Sequence, residues 1–436
     1  MVGLQWKGTR LLASPEPAWA AEESLEELAA LASSAEAEVL ERVLQTREKP
    51  EAATLIGTGK AQEVAQLAEA AEADLVIFDH DLSPTQLRNL ERLFQRKVVD
   101  RTQLILDIFA RRARTREGQL QVELAQLNYL LPRLAGRGIE MSRLGGGIGT
   151  RGPGETQLET DRRRLYRRIR RLEKELASVR ASRGVQRRKR QAIPLATAAL
   201  VGYTNAGKST LFNRLSGAAV LADDRLFATL DPTVRAVPLP SRRRVLLSDT
   251  VGFIRNLPVT LVEAFRATLE EVREAALLLH VVDISSPQAA RHIAHVQTVL
   301  AEIGAGGAPQ LLALNKIDLL EAAGEDLAAV CERIRGGAAP NARSVPVSAR
   351  TGLGVDRLLE VVDEVLNLDP VVPATFYFPF RDGAEIHLLY EHSVVTARRY
   401  QADGCVIEAQ VPESLLRRLA GFVKPAHHPQ PTTHTP

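Results

Sequence analysis

Eight residues, Gly202-Tyr203-Thr204-Asn205-Ala206-Gly207-Lys208-Ser209, fit the pattern G-x-x-x-x-G-K-[ST]. They follow an apolar run, Ala198–Val201, and precede a helical stretch, the context in which this pattern cradles phosphates. The glycines let backbone N–H groups wrap a phosphate, and the helix N-terminus adds a favourable field. Lys208 places a point charge at the β- and γ-phosphates, and the Ser209 hydroxyl can ligate Mg²⁺. The surrounding pattern repeats strand, loop and helix. Strand candidates are Ala198–Val201, Val234–Leu239, Val245–Ser248, Ala276–Val282, Gln310–Leu314 and Ser344–Val347. Such alternation predicts an α/β fold, with a parallel or mostly parallel sheet and helices on both faces.

Three further motifs follow in order. Asp249-Thr250-Val251-Gly252 ends an apolar strand 47 residues after Gly202. Its Asp can hold Mg²⁺ through water, and the Gly252 N–H can meet a γ-phosphate. Asn315-Lys316-Ile317-Asp318 follows the strand Gln310–Leu314 and chooses the base. An Asp318 carboxylate accepts two hydrogen bonds from guanine, at N1–H and the exocyclic amine. Adenine presents no such donor pair, so a buried carboxylate would reject it. Asn315 can bridge the base and the phosphate loop, and the stem of Lys316 can lie on the base. Ser348-Ala349, after the next strand, can offer a backbone N–H to the guanine O6, and Arg350 completes that nucleotide-binding loop.

Between the first two motifs lies Phe227-Ala228-Thr229-Leu230-Asp231-Pro232-Thr233, where a switch loop belongs. A threonine here can complete the Mg²⁺ shell when a γ-phosphate is present, and Thr229 and Thr233 both qualify on spacing. The residue after Gly252 is Phe253, where many GTPases place a water-orienting Gln. Phenylalanine cannot orient water. Slow intrinsic hydrolysis of GTP to GDP and phosphate is expected, the missing element coming from a partner, another loop or an ion.

Charge separates the rest of the chain. The net charge of +3 conceals −8 over residues 1–100 and +11 over residues 161–190. Three acids, Asp161, Glu173 and Glu175, cannot pair the fourteen cations of that basic block, which reads as a nucleic-acid contact. Only 9 Lys stand against 47 Arg, so the lysines at positions 208 and 316 are conspicuous. Leucines at 120, 124, 127, 131 and 134 form one heptad-like seam, and Leu158, Leu165, Ile169, Leu172, Leu176 and Val179 form another. Joined by the Gly-rich Gly145–Gly154, they predict a long antiparallel helical hairpin.

The expected organisation is an N-terminal α/β domain (1–110), a hairpin with its basic segment (111–192) and a nucleotide domain (195–368). A small α+β domain (370–424) and a disordered tail (425–436) follow. The small domain is predicted to have strands at Thr375–Phe380, Glu385–Tyr390 and Cys405–Gln410 and a helix at Glu413–Phe422. Ser83-Pro84 reads as a helix start, and Gly57-Thr58-Gly59-Lys60 as a turn. His292 and His295 share a helix face without a third ligand and read as packing residues. The apolar run Ala275–Val282 is too short to span a bilayer, the first 20 residues show no signal-peptide pattern, and Cys331 and Cys405 lack partners. A cytoplasmic monomer is expected.

With these residues in view, the chain resembles the HflX family of ribosome-associated GTPases, from about Thr54 to about Gly421. The resemblance rests on Leu55–Lys60, on Phe78–Gln86, and above all on Gly147-Ile148-Gly149-Thr150-Arg151-Gly152-Pro153-Gly154-Glu155-Thr156-Gln157-Leu158-Glu159. The four nucleotide motifs read as members of the same family. It implies binding to the large ribosomal subunit and its rRNA, GTP turnover stimulated there, and splitting of stalled ribosomes. It favours Thr229 over Thr233 as the Mg²⁺ ligand. Related GTPases with Asn where Asn205 stands can use K⁺ to complete the catalytic charge, which places K⁺ beside Mg²⁺ as an implied cofactor. Two other readings stand beside this one. One is a nucleotide-switched rRNA-binding module in which hydrolysis only recycles the protein. The other is an ATP-driven RNA remodeller that uses the N-terminal domain.

Overall fold

The computed structural model describes residues 1–6, 18–134, 153–191, 195–218, 226–227, 229–230, 232–241, 243–255, 266–338, 343–366 and 371–424. The Gly-rich loop through residue 152, Ala228, Asp231 and the tail 425–436 lie outside them.

The chain opens on four parallel strands, β1 (Val2–Trp6), β2 (Val43–Arg47), β3 (Leu75–Phe78) and β4 (Lys97–Asp100), in the order β2-β1-β3-β4. The connecting helices are α1 (Ala18–Ser34), α2 (Thr58–Ala70) and α3 (Pro84–Phe94). Period-two alternation sorts the strand residues by face. Val76, Phe78 and Val98 join the core under α2 and α3, while Ile77 and Val99 join the core under α1. Ser83 starts α3 as a capping box: its hydroxyl accepts from the Gln86 N–H at 3.2 Å, and the Gln86 side chain accepts from the Ser83 N–H at 2.9 Å. Gly57-Thr58-Gly59-Lys60 is the entry of α2 rather than a free turn, with the Gly57 N–H donating to Gln45 at 2.9 Å.

Three helices follow: α4 (Arg101–Arg112), α5 (Arg116–Leu134) and α6 (Pro153–Gln191). Leu120 of α5 is buried with Leu172 and Leu176 of α6. The pairs Arg116–Glu175 and Glu123–Arg168 run in opposite chain directions along the contact. Seven arginines of α6 (162, 163, 164, 167, 168, 170 and 171) are exposed.

The second sheet has six strands: β5 (Thr197–Val201), β6 (Thr233–Pro238), β7 (Arg244–Asp249), β8 (Leu277–Asp283), β9 (Gln310–Asn315) and β10 (Arg343–Pro346). Their order is β10-β9-β8-β5-β7-β6, all parallel except β6, which runs antiparallel to β7 at the edge. The helices are α7 (Lys208–Ser216), α8 (Arg266–Arg273), α9 (Ala289–Glu302), α10 (Ile317–Ala323), α11 (Leu327–Ala338) and α12 (Val355–Val365). The central strand β5 delivers Gly202–Ser209 at its carboxyl end, where open α/β sheets bind ligands.

The last unit has β11 (Val371–Pro379), α13 (Gly383–His392), β12 (Val394–Gln401), β13 (Gly404–Pro412) and α14 (Glu413–Arg418), with antiparallel strands ordered β11-β13-β12. Residues 385–390, predicted as a strand, are helical. Leu389 of that helix seals a core made by Phe376, Phe378, Cys405 and Ile407 of the sheet. No helix among the described residues is long and apolar enough to cross a membrane.

The first two units share one core. Ile105 and Phe109 of α4 and Leu28 of α1 join Tyr203, Phe227, Phe253 and Ile254. The Phe109 and Phe227 rings meet edge to face at 4.6 Å. At its polar margin Arg101, only 2 % exposed, pairs with Glu27 and with Asp79 at 2.7 Å, and donates to the Arg255 carbonyl at 3.3 Å. Burial pulls its guanidinium down to about 10. Arg101→Met leaves Asp79 buried without this cation and is expected to destabilise the protein by about 3–5 kcal/mol, read as a lower urea midpoint. An unchanged midpoint would contradict this account of the network.

Candidate functional site

A cavity of about 390 Å³ opens at the carboxyl end of β5, lined among others by Asn205, Lys208, Ser209, Thr229, Gly252 and Asp318. Backbone constraints fix its floor. Gly202 has φ +148°, and a Cβ there would lie 2.3 Å from the Val281 carbonyl oxygen. Gly207 has φ +94°, and its Cβ would meet the Asn315 amide at 2.2 Å. Only glycine fits both. The loop ends on the first turn of α7, so unsatisfied N–H groups face the cavity. Lys208 is 6 % exposed, and its ammonium donates to the Tyr203 carbonyl at 2.7 Å. Burial pulls its pKa down to about 8, against the opposing field of Asp249.

Three oxygens converge beside Lys208. The Ser209 and Thr229 hydroxyls lie 2.7 Å apart, and each donates to Asp249 Oδ2 at 2.8 Å. Asp249 is fully buried, and its Oδ1 has no hydrogen-bond partner among the described residues. Burial pushes its carboxyl up, opposed by the two hydroxyls and Lys208. An orphaned carboxylate oxygen beside two hydroxyls is a hard-oxygen donor set, which fits Mg²⁺. Thr229 stands in this cluster, whereas Thr233 begins β6 and pairs with Asp249 only through the ladder.

The base end is built on β9. The Asn315 amide donates to the Ala206 carbonyl at 2.8 Å and accepts from the Ala349 N–H at 2.9 Å, tying the first loop to the last. Asp318 accepts from the Ser348 hydroxyl at 2.8 Å and from Arg350 at 3.2 Å. Lys316 has φ +69°, and its ammonium pairs with Asp283 at 2.6 Å.

Some predicted residues turn their side chains elsewhere. Tyr203, Leu230 and Val251 lie in the core shared with α1 and α4, and Ala206 and Ile317 in other cores, so only their backbones are available. Gly252 has no room for a Cβ, which would lie 2.8 Å from the Lys208 ammonium. Three contributors escaped the sequence reading: Asp283, Thr210 and Leu319. Asp283 stands opposite Asn315 in the β8–β9 ladder, Thr210 directly follows Ser209, and Leu319 directly follows Asp318. His292 stacks on Tyr203 at 4.0 Å, and His295 meets the Ile254 carbonyl at 3.0 Å; burial pulls both below the usual imidazole range.

Phe253 is more than an absent Gln. Its ring lies in the shared core, its N–H donates to Gly202 at 3.1 Å, and its carbonyl accepts from Thr204 at 2.8 Å. Phe253→Gln would bury an amide there, at a cost of about 2–4 kcal/mol. Single-turnover hydrolysis is expected not to rise above the parent's, and a tenfold gain would show that the glutamine reaches water at the phosphate.

A phosphate-binding loop after the central strand, an Asp-to-Gly segment after the neighbouring strand and an Asn-Lys-x-Asp loop after β9 define a P-loop GTPase. Family models agree with that class. "GTP-binding GTPase N-terminal" matches residues 22–110, "GTP-binding GTPase Middle Region" 112–190 and "50S ribosome-binding GTPase" 197–316. GTPase HflX of Caldanaerobacter subterraneus subsp. tengcongensis is 46% identical over 413 residues, 95% of this chain and 92% of that protein. GTPase HflX of Escherichia coli strain K12 is 46% identical over 398 residues, 91% of this chain and 92% of that protein. The crystal structure of a GTP-binding protein from Sulfolobus solfataricus in complex with GDP is 26% identical and covers 84% of this chain and 97% of its own, with a TM-score of 0.43. The chain belongs to the HflX family of GTPases.

Proposed function

We propose that this GTPase docks on the large ribosomal subunit through rRNA contacts of the α6 face and splits stalled ribosomes, using GTP to order its switch loops. The carrying observation is the seven exposed arginines among the described side chains of α6, a helix that ends at Gln191, shortly before the strand that delivers the phosphate loop. Tyr166, exposed beneath Arg162 at 5.7 Å, adds an aromatic surface to them. Charge carries affinity for RNA and shape carries the site, because duplex RNA offers little base information. The family description "50S ribosome-binding GTPase" over residues 197–316 supports the same partner.

In this reading the loop N–H groups and Lys208 hold the β- and γ-phosphates, and the Gly252 N–H meets the γ-phosphate. Asp318, with the 348–350 loop, reads guanine. Ser209 and Thr229 would hold Mg²⁺ directly, and Asp249 would hold it through water. When bound, the ion neutralises charge on the phosphate oxygens. Asn205, with φ +59° at the cavity wall, is the residue that would recruit K⁺. The protein works as a cytoplasmic monomer built of the five segments described above.

Turnover measured with and without large subunits, in K⁺ and in Na⁺, tests this. Large subunits are expected to raise the rate about tenfold or more, and K⁺ to exceed Na⁺. Absence of stimulation by ribosomes would remove the docking reading. Splitting that proceeds at one turnover with a non-hydrolysable GTP analogue would assign hydrolysis to recycling alone.

A further inference from the structure

A second cavity, of about 460 Å³, lies at the opposite end of the N-terminal sheet from the strand tips, between the segment that leaves α1 and the last turns of α2. Its wall includes Ala37, Val39, Val64, Leu67, Ala68 and Ile77. Among the described residues, every uncharged side chain lining it is apolar and its charged side chains are the acids Glu36, Glu38, Glu41 and Asp74, set against one lining cation, the Met1 α-ammonium, which donates to the Glu41 carbonyl at 2.6 Å. Arg111, which does not line the cavity, reaches Glu36 at 3.5 Å. Leu40 and Leu67 stand exposed at the rim, at 49% and 36%.

This combination selects an occupant. An apolar wall of this size takes aliphatic side chains. Four carboxylates against the single Met1 α-ammonium leave the rim net acidic, which disfavours phosphates, and so nucleotides and RNA, and attracts ammonium and guanidinium groups. The cavity also touches the nucleotide site through one short path. Ala35 and Glu36 line it, and the residue before them, Ser34, accepts from the Leu226 N–H at 2.9 Å. Leu226 adjoins Phe227, which lines the nucleotide cavity near Thr229.

We propose that this cavity is a docking site for a basic, leucine-rich polypeptide segment of a partner protein, and that its occupancy reaches the switch loop through Ser34. Aliphatic side chains of the segment enter between α1's exit and α2, and its cations pair with Glu38, Glu41 and Asp74. The binding half stands whether or not the ribosome reading holds, because it is measured without ribosomes. The coupling half needs only that the protein hydrolyses GTP.

The probe is a fluorescein-labelled helical peptide of leucine and lysine, with a leucine and glutamate twin, titrated against the full chain. The lysine peptide is expected to bind and the glutamate peptide not to. Ala37→Phe, which fills the cavity without changing charge, is expected to weaken binding about tenfold or more while GTP affinity and helical circular dichroism stay at parent values. Leu67→Ser, at the exposed rim, gives the same direction where the filled variant is poorly folded. Glu38→Gln with Asp74→Asn weakens binding and flattens its salt dependence. Parent-like binding by both Ala37→Phe and Leu67→Ser, or equal binding of the two peptides, would overturn the site. With the lysine peptide bound, GTP turnover of the parent is expected to change by about twofold or more, and Ser34→Ala to lose the response. Turnover deaf to a bound peptide would overturn the coupling.

Discussion

Asp318→Asn is expected to lower GTP affinity by roughly two to three orders of magnitude and to create affinity for xanthosine triphosphate. The Asp318 carboxylate sits at the base end of the nucleotide cavity, held by the Ser348 hydroxyl at 2.8 Å and by Arg350 at 3.2 Å. Guanine offers two parallel donors, N1–H and its amine, and a carboxylate answers both with charge-assisted bonds. Asparagine has the same shape but one acceptor and one donor, so its NH₂ faces the guanine amine. Xanthine carries a carbonyl where guanine carries that amine, and the asparagine NH₂ donates to it. Competition titrations with GTP, ATP and xanthosine triphosphate decide the matter. A GTP loss below tenfold, or ATP gaining as much as the xanthine nucleotide, would show that Asp318 does not read the base edge. Arg350→Ala should matter little, because its side chain is 75% exposed and such pairs contribute under about 1 kcal/mol.

The nucleotide motifs were legible because phosphate and guanine chemistry restricts residue type at fixed spacing. Gly202 and Gly207 announce a backbone no side chain can share, and the rarity of lysine made the residues at 208 and 316 stand out. Thr229 and Thr233 could not be separated by spacing alone, because what separates them is the fold of the loop around Asp249. The packing of α1 and α4 against Phe227 and Phe253 was also hidden, since it joins positions more than a hundred residues apart and has no local period. Residues 385–390, Glu-Ile-His-Leu-Leu-Tyr, favour a strand only at Ile386 and Tyr390; Glu385, Leu388 and Leu389 are helix formers, and the helix covers the C-terminal sheet with Leu389. The strand β12, Val394–Gln401, was missed for a different reason. It is an edge strand with Arg398, Arg399 and Tyr400 exposed, so it lacks the apolar alternation of a half-buried one.

Lys208→Met is expected to reduce GTP affinity by roughly two to three orders of magnitude and yet to raise the stability of the nucleotide-free protein. The methionine keeps the length and most of the apolar stem and removes the charge. In the folded chain Lys208 is buried, its ammonium meets the Tyr203 carbonyl at 2.7 Å, and its pKa lies at about 8 against an ordinary 10.5. A cation whose folded pKa is depressed destabilises the fold at every pH below the folded value, here by on the order of 3 kcal/mol. The penalty fades as pH rises from about 8 towards 10.5, because the folded protein then binds fewer protons than the unfolded chain. Hence the variant's advantage in urea midpoint should be full at pH 7 and shrink by pH 10. The polyphosphate of GTP supplies the anion that the empty fold lacks, so the parent should gain stability on adding nucleotide and the variant should not. A variant less stable than the parent at pH 7 without nucleotide would contradict the argument, since it would mean that the Tyr203 contact and the attraction of buried Asp249 outweigh burial of the charge. The expected result makes Lys208 a residue that the fold holds against its own stability, in an environment that only a polyphosphate completes.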